Sequence, residues 1–213
     1  IMLWSTAALR LTTLIGQHAA LVPLELGQLD DLTAAVQDGE LWRHWYTSVP
    51  APGQMQAEIE RRLDLQNQGS MQPFAVIDMR PDVATHGKAV GMTTYMNMDA
   101  PNRRLEIGST WYAQSVQRSA INTECKLMLL THAFEEMSCI AVEFRTHWFN
   151  QQSRAAIERL GAKLDGVLRN HSINTHPDAQ WNGQGALRDT CVYSIIASEW
   201  SSVRAHLKYR LAR

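Results

Sequence analysis

Leu105-Glu106-Ile107-Gly108, then Trp111-Tyr112-Ala113-Gln114-Ser115-Val116-Gln117-Arg118-Ser119-Ala120-Ile121-Asn122, then Ile140-Ala141-Val142-Glu143-Phe144-Arg145-Thr146 follow one another in the middle of a chain of 213 residues. Arg104 to Tyr112 reads as a strand, entered from the turn signal Asp99-Ala100-Pro101-Asn102. From Asn122 to Met137 the pattern turns helical, with Leu127, Leu130, Phe134 and Met137 on one face, and Ile140 to Thr146 is again a strand. A strand-helix-strand crossover of this kind makes its two strands parallel neighbours.

Working outward, Phe74 to Met79 and Ala89 to Met98 precede this unit as two further strands of an antiparallel meander. Ala20 to Leu26 is a short strand, and Asp30-Asp31 stand where a helix start favours negative charge. Met55, Ile59 and Leu63 mark an amphipathic surface helix closing at Gly69. Downstream, Asn150 is placed to cap a helix that Gly161 stops. Lys163 to Asn170 and Thr190 to Ala197 are closing strands around a polar segment containing Asn182-Gly183, and Trp200, Val203, Leu207 and Leu211 mark a last helix. The expected fold class is mixed α/β (α+β): a largely antiparallel central sheet flanked by helices, with one parallel pair. One domain over residues 1–213 is expected, with 1–18 as a peripheral extension.

Composition narrows the function classes. Twenty Lys and Arg against 21 Asp and Glu leave a net charge of -1, so there is no global basic field to hold a nucleic-acid backbone. No apolar run approaches the length that spans a bilayer; even Cys125 to Phe134 is interrupted by Lys126, Thr131 and His132. Ile1 to Gly16 carries Arg10 inside a mildly apolar stretch and lacks a signal-peptide pattern, so a soluble, cytoplasmic protein is expected. Cys125, Cys139 and Cys191 are far apart, without metal-ligand spacing, and read as buried thiols; no metal is expected.

Between the crossover strand and its helix, small and polar residues let backbone N–H groups and a helix N-terminus converge on an anion such as a pyrophosphate, although an ordinary loop would look the same. That loop, the strand Ile140 to Thr146 and Asn150-Gln151-Gln152-Ser153-Arg154-Ala155-Ala156-Ile157-Glu158-Arg159-Leu160-Gly161 together resemble the GNAT superfamily of acyl-CoA-dependent N-acetyltransferases, in its RimJ/RimL-like branch. Leu105-Glu106-Ile107-Gly108 resembles that branch's fourth strand, and Asp165-Gly166-Val167-Leu168-Arg169-Asn170 and Arg188-Asp189-Thr190-Cys191-Val192-Tyr193-Ser194 its last two. The resemblance covers roughly Leu21 to Trp200.

The resemblance implies that the parallel pair splays at a site for acetyl-CoA, used as co-substrate, and that the acceptor is a primary amine of a small molecule or a protein N-terminus. It places cofactor binding on Trp111, on the pyrophosphate loop Gln117, Arg118, Ser119, Ala120, Ile121 and Asn122, and on Asn150, Ser153 and Arg154. Relatives carry glycines where Ala120 and Asn122 stand, which puts a Cβ at each point of close backbone approach. Asn150 has a second use as helix cap, Ser153 as an N3 residue, and Arg154 as a solvated surface cation. Ile157 aligns with the Tyr that protonates the leaving thiolate in many relatives, so Ser153, or a water it holds, is the nearest substitute. Glu106 is the candidate general base, with His147 in reserve. Trp42, Trp45 and Tyr46 fall on one face of a short helix, either as core or as a wall of the acceptor site. The expected function is N-acetyl transfer by direct attack; a non-catalytic acyl-CoA-binding or partner-binding module on the same fold is the alternative. No membrane or nucleic-acid partner is expected, and a homodimer is left open.

Overall fold

A computed structural model describes residues 12–213. Nine strands form one sheet system: β1 (Leu14–Ile15), β2 (Ala19–Pro23), β3 (Met71–Asp78), β4 (Ala89–Asp99), β5 (Arg104–Tyr112), β6 (Ala141–His147), β7 (Lys163–Asn174), β8 (Gln180–Trp181) and β9 (Gln184–Ile196). Their order is β1-β2-β3-β4-β5-β6-β9-β7, with β8 paired to β9. The helices are α1 (Leu29–Gln37), α2 (Met55–Asn67), α3 (Ala120–Thr131), α4 (Gln151–Arg159) and α5 (Trp200–Leu211).

Every pairing is antiparallel except β5 with β6, the pair joined through α3. That pair keeps register only at Arg104↔Ala141, Leu105↔Val142 and Glu106↔Glu143, after which the strands part. The core lies on both faces of this sheet, with Phe74, Met92, Tyr95, Ile121, Leu129 and Tyr193 among its fully buried side chains. All three cysteines are buried and free.

Local chemistry accounts for the boundaries. Asn150 Oδ1 accepts the Ser153 N–H at 3.0 Å and starts α4. Gly161, at φ +101, ends that helix in the left-handed conformation with Val203 of α5 packed against it. Asn182 and Gly183 both have positive φ and turn the β8–β9 hairpin, which the periodicity does not reveal. The aromatics of residues 42–46 do not share a helix: a single 3-10 turn ends at Arg43, Trp42 packs against the core, and Trp45 and Tyr46 follow in extended turns. Nor is α2 a simple surface helix, since Arg62 and Gln66 are buried. Of the expected extension 1–18, residues 1–11 lie outside the described part, whereas Leu14 and Ile15 pair with Leu21 and Ala20 and so belong to the sheet.

Candidate active site

The parting of β5 and β6 opens a cleft of about 700 Å³ between β5, β6, the start of α3 and the start of α4. Its charged lining is entirely cationic. Arg118, Arg159 and Arg210 stand exposed at its outer end, while Arg62, Lys126, Arg145 and Arg188 are buried or half-buried within it. On a chain whose net charge is -1, seven cations without one lining carboxylate make a local field suited to a polyanion. Sequence patterning reveals only Arg118 of these; Arg159 and Arg210 sit near the C-terminal ends of two different helices, which only the fold brings together.

Next to the parting, β5 carries a bulge. Met92 pairs with Trp111 and Thr94 with Gly108, so Thr93 alone faces Ser109 and Thr110, and Ser109 takes φ +48. Thr93 and Thr94 are successive strand residues, so their side chains point to opposite faces of the sheet. Arg62 of α2 binds one face, donating to Thr94 Oγ1 at 2.9 Å and to the Ser109 carbonyl at 3.1 Å. Lys126 of α3 binds the other, with Nζ 2.9 Å from Thr110 Oγ1 and 3.3 Å from Thr93 Oγ1. Two buried cations from two helices therefore clamp the bulge that separates the strands. Arg62 has a carboxylate partner, Glu58 at 2.7 Å; among the described residues Lys126 has none.

Burial without a counter-charge pushes the Lys126 ammonium down to about 8. An unfolded chain holds that proton to an ordinary lysine value near 10.5, so between the two pH values the unfolded state binds more protons. The contribution of Lys126 to stability should therefore rise from about pH 8 to about pH 10.5, by at most about 3 kcal/mol. The buried thiols of Cys125 and Cys139, pushed up to about 12, act in the opposite sense over the same range, so the difference in denaturant midpoint between the wild type and Lys126→Met is the readout: it should shift in favour of the wild type as the pH rises, and parallel profiles in the two proteins would refute the assignment.

Trp111, Gln117, Arg118, Ser119, Asn122, Asn150 and Ser153 all line the cleft. Ser119 caps α3, its Oγ accepting the Ile121 N–H and donating to the Val116 carbonyl. Arg118, immediately before it, adopts φ +60, the left-handed conformation glycine would take without strain. Ile121 is fully buried in the core with its amide spent on that cap, and neither it nor Ala120 lines the cleft. Arg154, likewise not among the residues that line the cleft, stacks 4.3 Å from the centre of the Trp148 ring and donates to Tyr193 Oη at 3.1 Å. Ile157 lines it as a buried apolar side chain.

Glu106 is buried just behind the wall. Asn97 Nδ2 donates to its Oε2 at 2.7 Å, and Arg145 Nε lies 3.5 Å from the same oxygen. Gly108 lines the cleft, and the absence of a Cβ there lets two side chains close up beside it: a Cβ would stand 2.7 Å from Met96 Sδ and 2.8 Å from Glu106 Oε1. Burial raises the Glu106 pKa, opposed by the Asn97 hydrogen bond and the Arg145 and Arg188 charges. His147 is unsuited to the reserve role. Its Nδ1 accepts the Phe149 N–H at 3.1 Å, which leaves the hydrogen on Nε2 and no free lone pair, and burial and Arg188 lower its pKa. Trp45 packs edge-on against His147 with ring centres 5.0 Å apart. Tyr46 lines this cleft and a second one of about 570 Å³ beside it.

A mixed sheet whose parallel pair parts around a cationic cleft, with a bulged strand on one side and a capped helix on the other, is the GNAT architecture. The chain belongs to this family: its acetyltransferase (GNAT) domain model matches residues 19–163. A Bacillus subtilis (strain 168) protein named "Putative ribosomal N-acetyltransferase YdaF" is 32% identical over 114 residues, 54% of this chain and 57% of that protein, so the likeness spans little more than half of either. Among solved structures, a "putative acetyltransferase" from T. thermophilus is 30% identical with a TM-score of 0.75, over 93% of this chain and 96% of that one. Mycobacterium smegmatis RimJ, solved in complex with CoA-disulfide, shares the fold at 21% identity and a TM-score of 0.71, over 95% of this chain and 94% of its own. Among the described residues no helix is long and apolar enough to cross a membrane, and no group of three potential metal ligands occurs.

Proposed function

We propose that the protein transfers the acetyl group of acetyl-CoA to a primary amine by direct attack in a ternary complex. The observation that carries this reading is the all-cationic cleft at the parted strands. Its outer cations Arg118, Arg159 and Arg210 suit phosphates, and its inner wall of Trp111, Asn150 and Ser153 suits an uncharged arm. When bound, acetyl-CoA supplies an activated thioester carbonyl. Asn150 spends Oδ1 on the helix cap, which leaves its amide NH₂ to donate into the cleft. The Ser153 hydroxyl, at the first turn of α4, has no protein partner among the described residues and is free to hold the proton that the departing sulfur takes, directly or through a water. Glu106, whose Oε1 lies against the cleft-lining Gly108, accepts the proton of the incoming ammonium, directly or through one water.

Acetyl-CoA at a hundredfold excess over its dissociation constant should stabilise the protein by about 2.7 kcal/mol, roughly 5–10 °C in Tm for a chain of this size. Release of free thiol with a panel of primary amines then reports transfer. No thermal shift at millimolar acetyl-CoA would overturn the reading. A shift with no thiol release from any amine would leave the non-catalytic acyl-CoA-binding module in its place.

A further inference from the structure

The outer and inner cations of the cleft call for different partners. Arg118, Arg159 and Arg210 lie at the mouth and are exposed, where phosphates belong. The reacting end of a coenzyme A thioester carries no charge, so it gives the inner cations nothing to neutralise. Three of them are already employed: Arg62 holds Glu58 and the bulge, Lys126 holds the threonine hydroxyls on the bulge's other face, and Arg145 lies against Glu143 and Glu106. Arg188 is different. It sits at the junction of the two clefts and lines both. Among the described residues its one hydrogen bond runs from Nε to Thr190 Oγ1 at 3.2 Å, and no carboxylate of theirs lies within ion-pair distance of it. Glu106 acts on it only across space, and Arg188 in turn opposes the charging of His147. His147 lines the first cleft beside it with a buried Nε2 that has no protein partner.

A half-buried guanidinium whose NH₂ groups have no protein acceptor is a fork for a carboxylate, which it binds through two parallel hydrogen bonds. The second cleft, of about 570 Å³, has the size of a small-molecule site and lies away from the phosphate end, between residues 46–50 and 172–176. Its other arginine, Arg61, is already paired with Glu58 through two hydrogen bonds. We infer that Arg188 anchors a carboxylate on the acceptor, so that the substrate class is a primary amine bearing a carboxylate a few bonds away: a free amino acid, or a peptide with an acidic residue at its start. This rests on the acetyl-transfer reading. It places the anion at Arg188 and the amine beside Glu106, the two ends of one small molecule across the junction.

The test measures kcat/KM by thiol release for matched pairs: phenylalanine against 2-phenylethylamine, other amino acids against the amines left by removing their carboxylate, and Asp-Ala-Ala against Asn-Ala-Ala as C-terminal amides. The expected preference for the carboxylate member is roughly ten- to a hundredfold, the range of a charge-assisted bidentate contact. Arg188→Gln should bring that ratio towards one, and Arg188→Met, which also removes the charge and both donors, is read the same way if the Gln variant fails to fold. A ratio cancels any effect of the substitution on the cofactor or on Glu106. Preference in the amino-acid pairs assigns the carboxylate to a free amino acid, and preference in the peptide pair alone assigns it to an acidic N-terminus. Equal use of both members by the wild type, or a ratio unmoved in Arg188→Gln, would overturn the inference. If no amine is acetylated, the transfer reading fails separately. The anchor is then judged by binding: N-acetylphenylalanine should bind the CoA-saturated protein more tightly than N-acetyl-2-phenylethylamine in the wild type and not in Arg188→Gln, and equal binding would reject it.

Discussion

Glu106→Gln is expected to lower turnover by about a hundredfold or more, the contribution of a positioned general base, while the protein stays folded and still binds acetyl-CoA. The geometry makes the substitution clean. Gln keeps the shape of the side chain and an oxygen for the Asn97 Nδ2 donor that now lies 2.7 Å from the carboxylate. What it removes is the capacity to take a proton. Because burial holds the Glu106 pKa above its ordinary value, the folded protein favours the protonated carboxyl, and ionisation at neutral pH costs stability as the pH rises through that raised pKa. Gln relieves this cost, so stability at neutral pH should be equal or higher even as activity falls. The same shift fixes the pH profile: kcat/KM should rise along an acidic limb lying above the ordinary carboxylate range, and that limb should disappear in the variant. Turnover within about threefold of wild type, with the limb in place, would remove Glu106 from the mechanism.

The crossover that defines this fold is legible because it is local. A strand, a helical period and a second strand in sequence dictate a parallel pair, and β5 matches the expected Arg104 to Tyr112 at both ends. The α4 cap at Asn150 and its stop at Gly161 are equally local, each depending on neighbours within a few residues. The clamp around the bulge is not. Arg62 stands on a helix that reads as surface and Lys126 interrupts the most apolar of the described helices, and what receives them is a set of threonines and a carbonyl up to 47 residues away. Periodicity assigns a charged residue to solvent by default and cannot show that the strands needing a cation will be folded over it. The same limit applies to Arg154, which shares a helix with residues of the cleft but points to Trp148 and Tyr193, both fixed by tertiary packing. The loop without glycine is a third case: Ala120 and Asn122 stand where relatives carry glycine, yet the left-handed residue is Arg118, one before the cap.

Glu124 offers the largest expected effect on stability. It lies on α3 beside the cleft-lining Thr123 and points the other way, into the turn between β1 and β2. Its Oε1 accepts the Gln17 N–H at 2.9 Å, and its Oε2 accepts those of His18 at 2.6 Å and Ala19 at 2.8 Å. Three consecutive backbone donors thus end on one buried carboxylate more than a hundred residues away. Water can replace the bond at exposed Gln17, but Ala19 is fully buried, and each charge-assisted bond left unmade there costs about 1.5–3 kcal/mol. Glu124→Gln is the telling substitution, because it preserves volume while turning an amide NH₂ towards N–H groups that can only donate. A loss of about 3 kcal/mol is expected, seen as a fall in Tm of roughly 6–12 °C. Gly16→Ala should act on the same contact from the other side, since a Cβ there would stand 2.5 Å from Glu124 Cδ. If the two act on one contact, the double variant should be less destabilised than the sum of the singles, as coupled neighbours require. Full additivity, or a Glu124→Gln loss under about 1 kcal/mol, would mean that the turn holds its place on the sheet without this carboxylate.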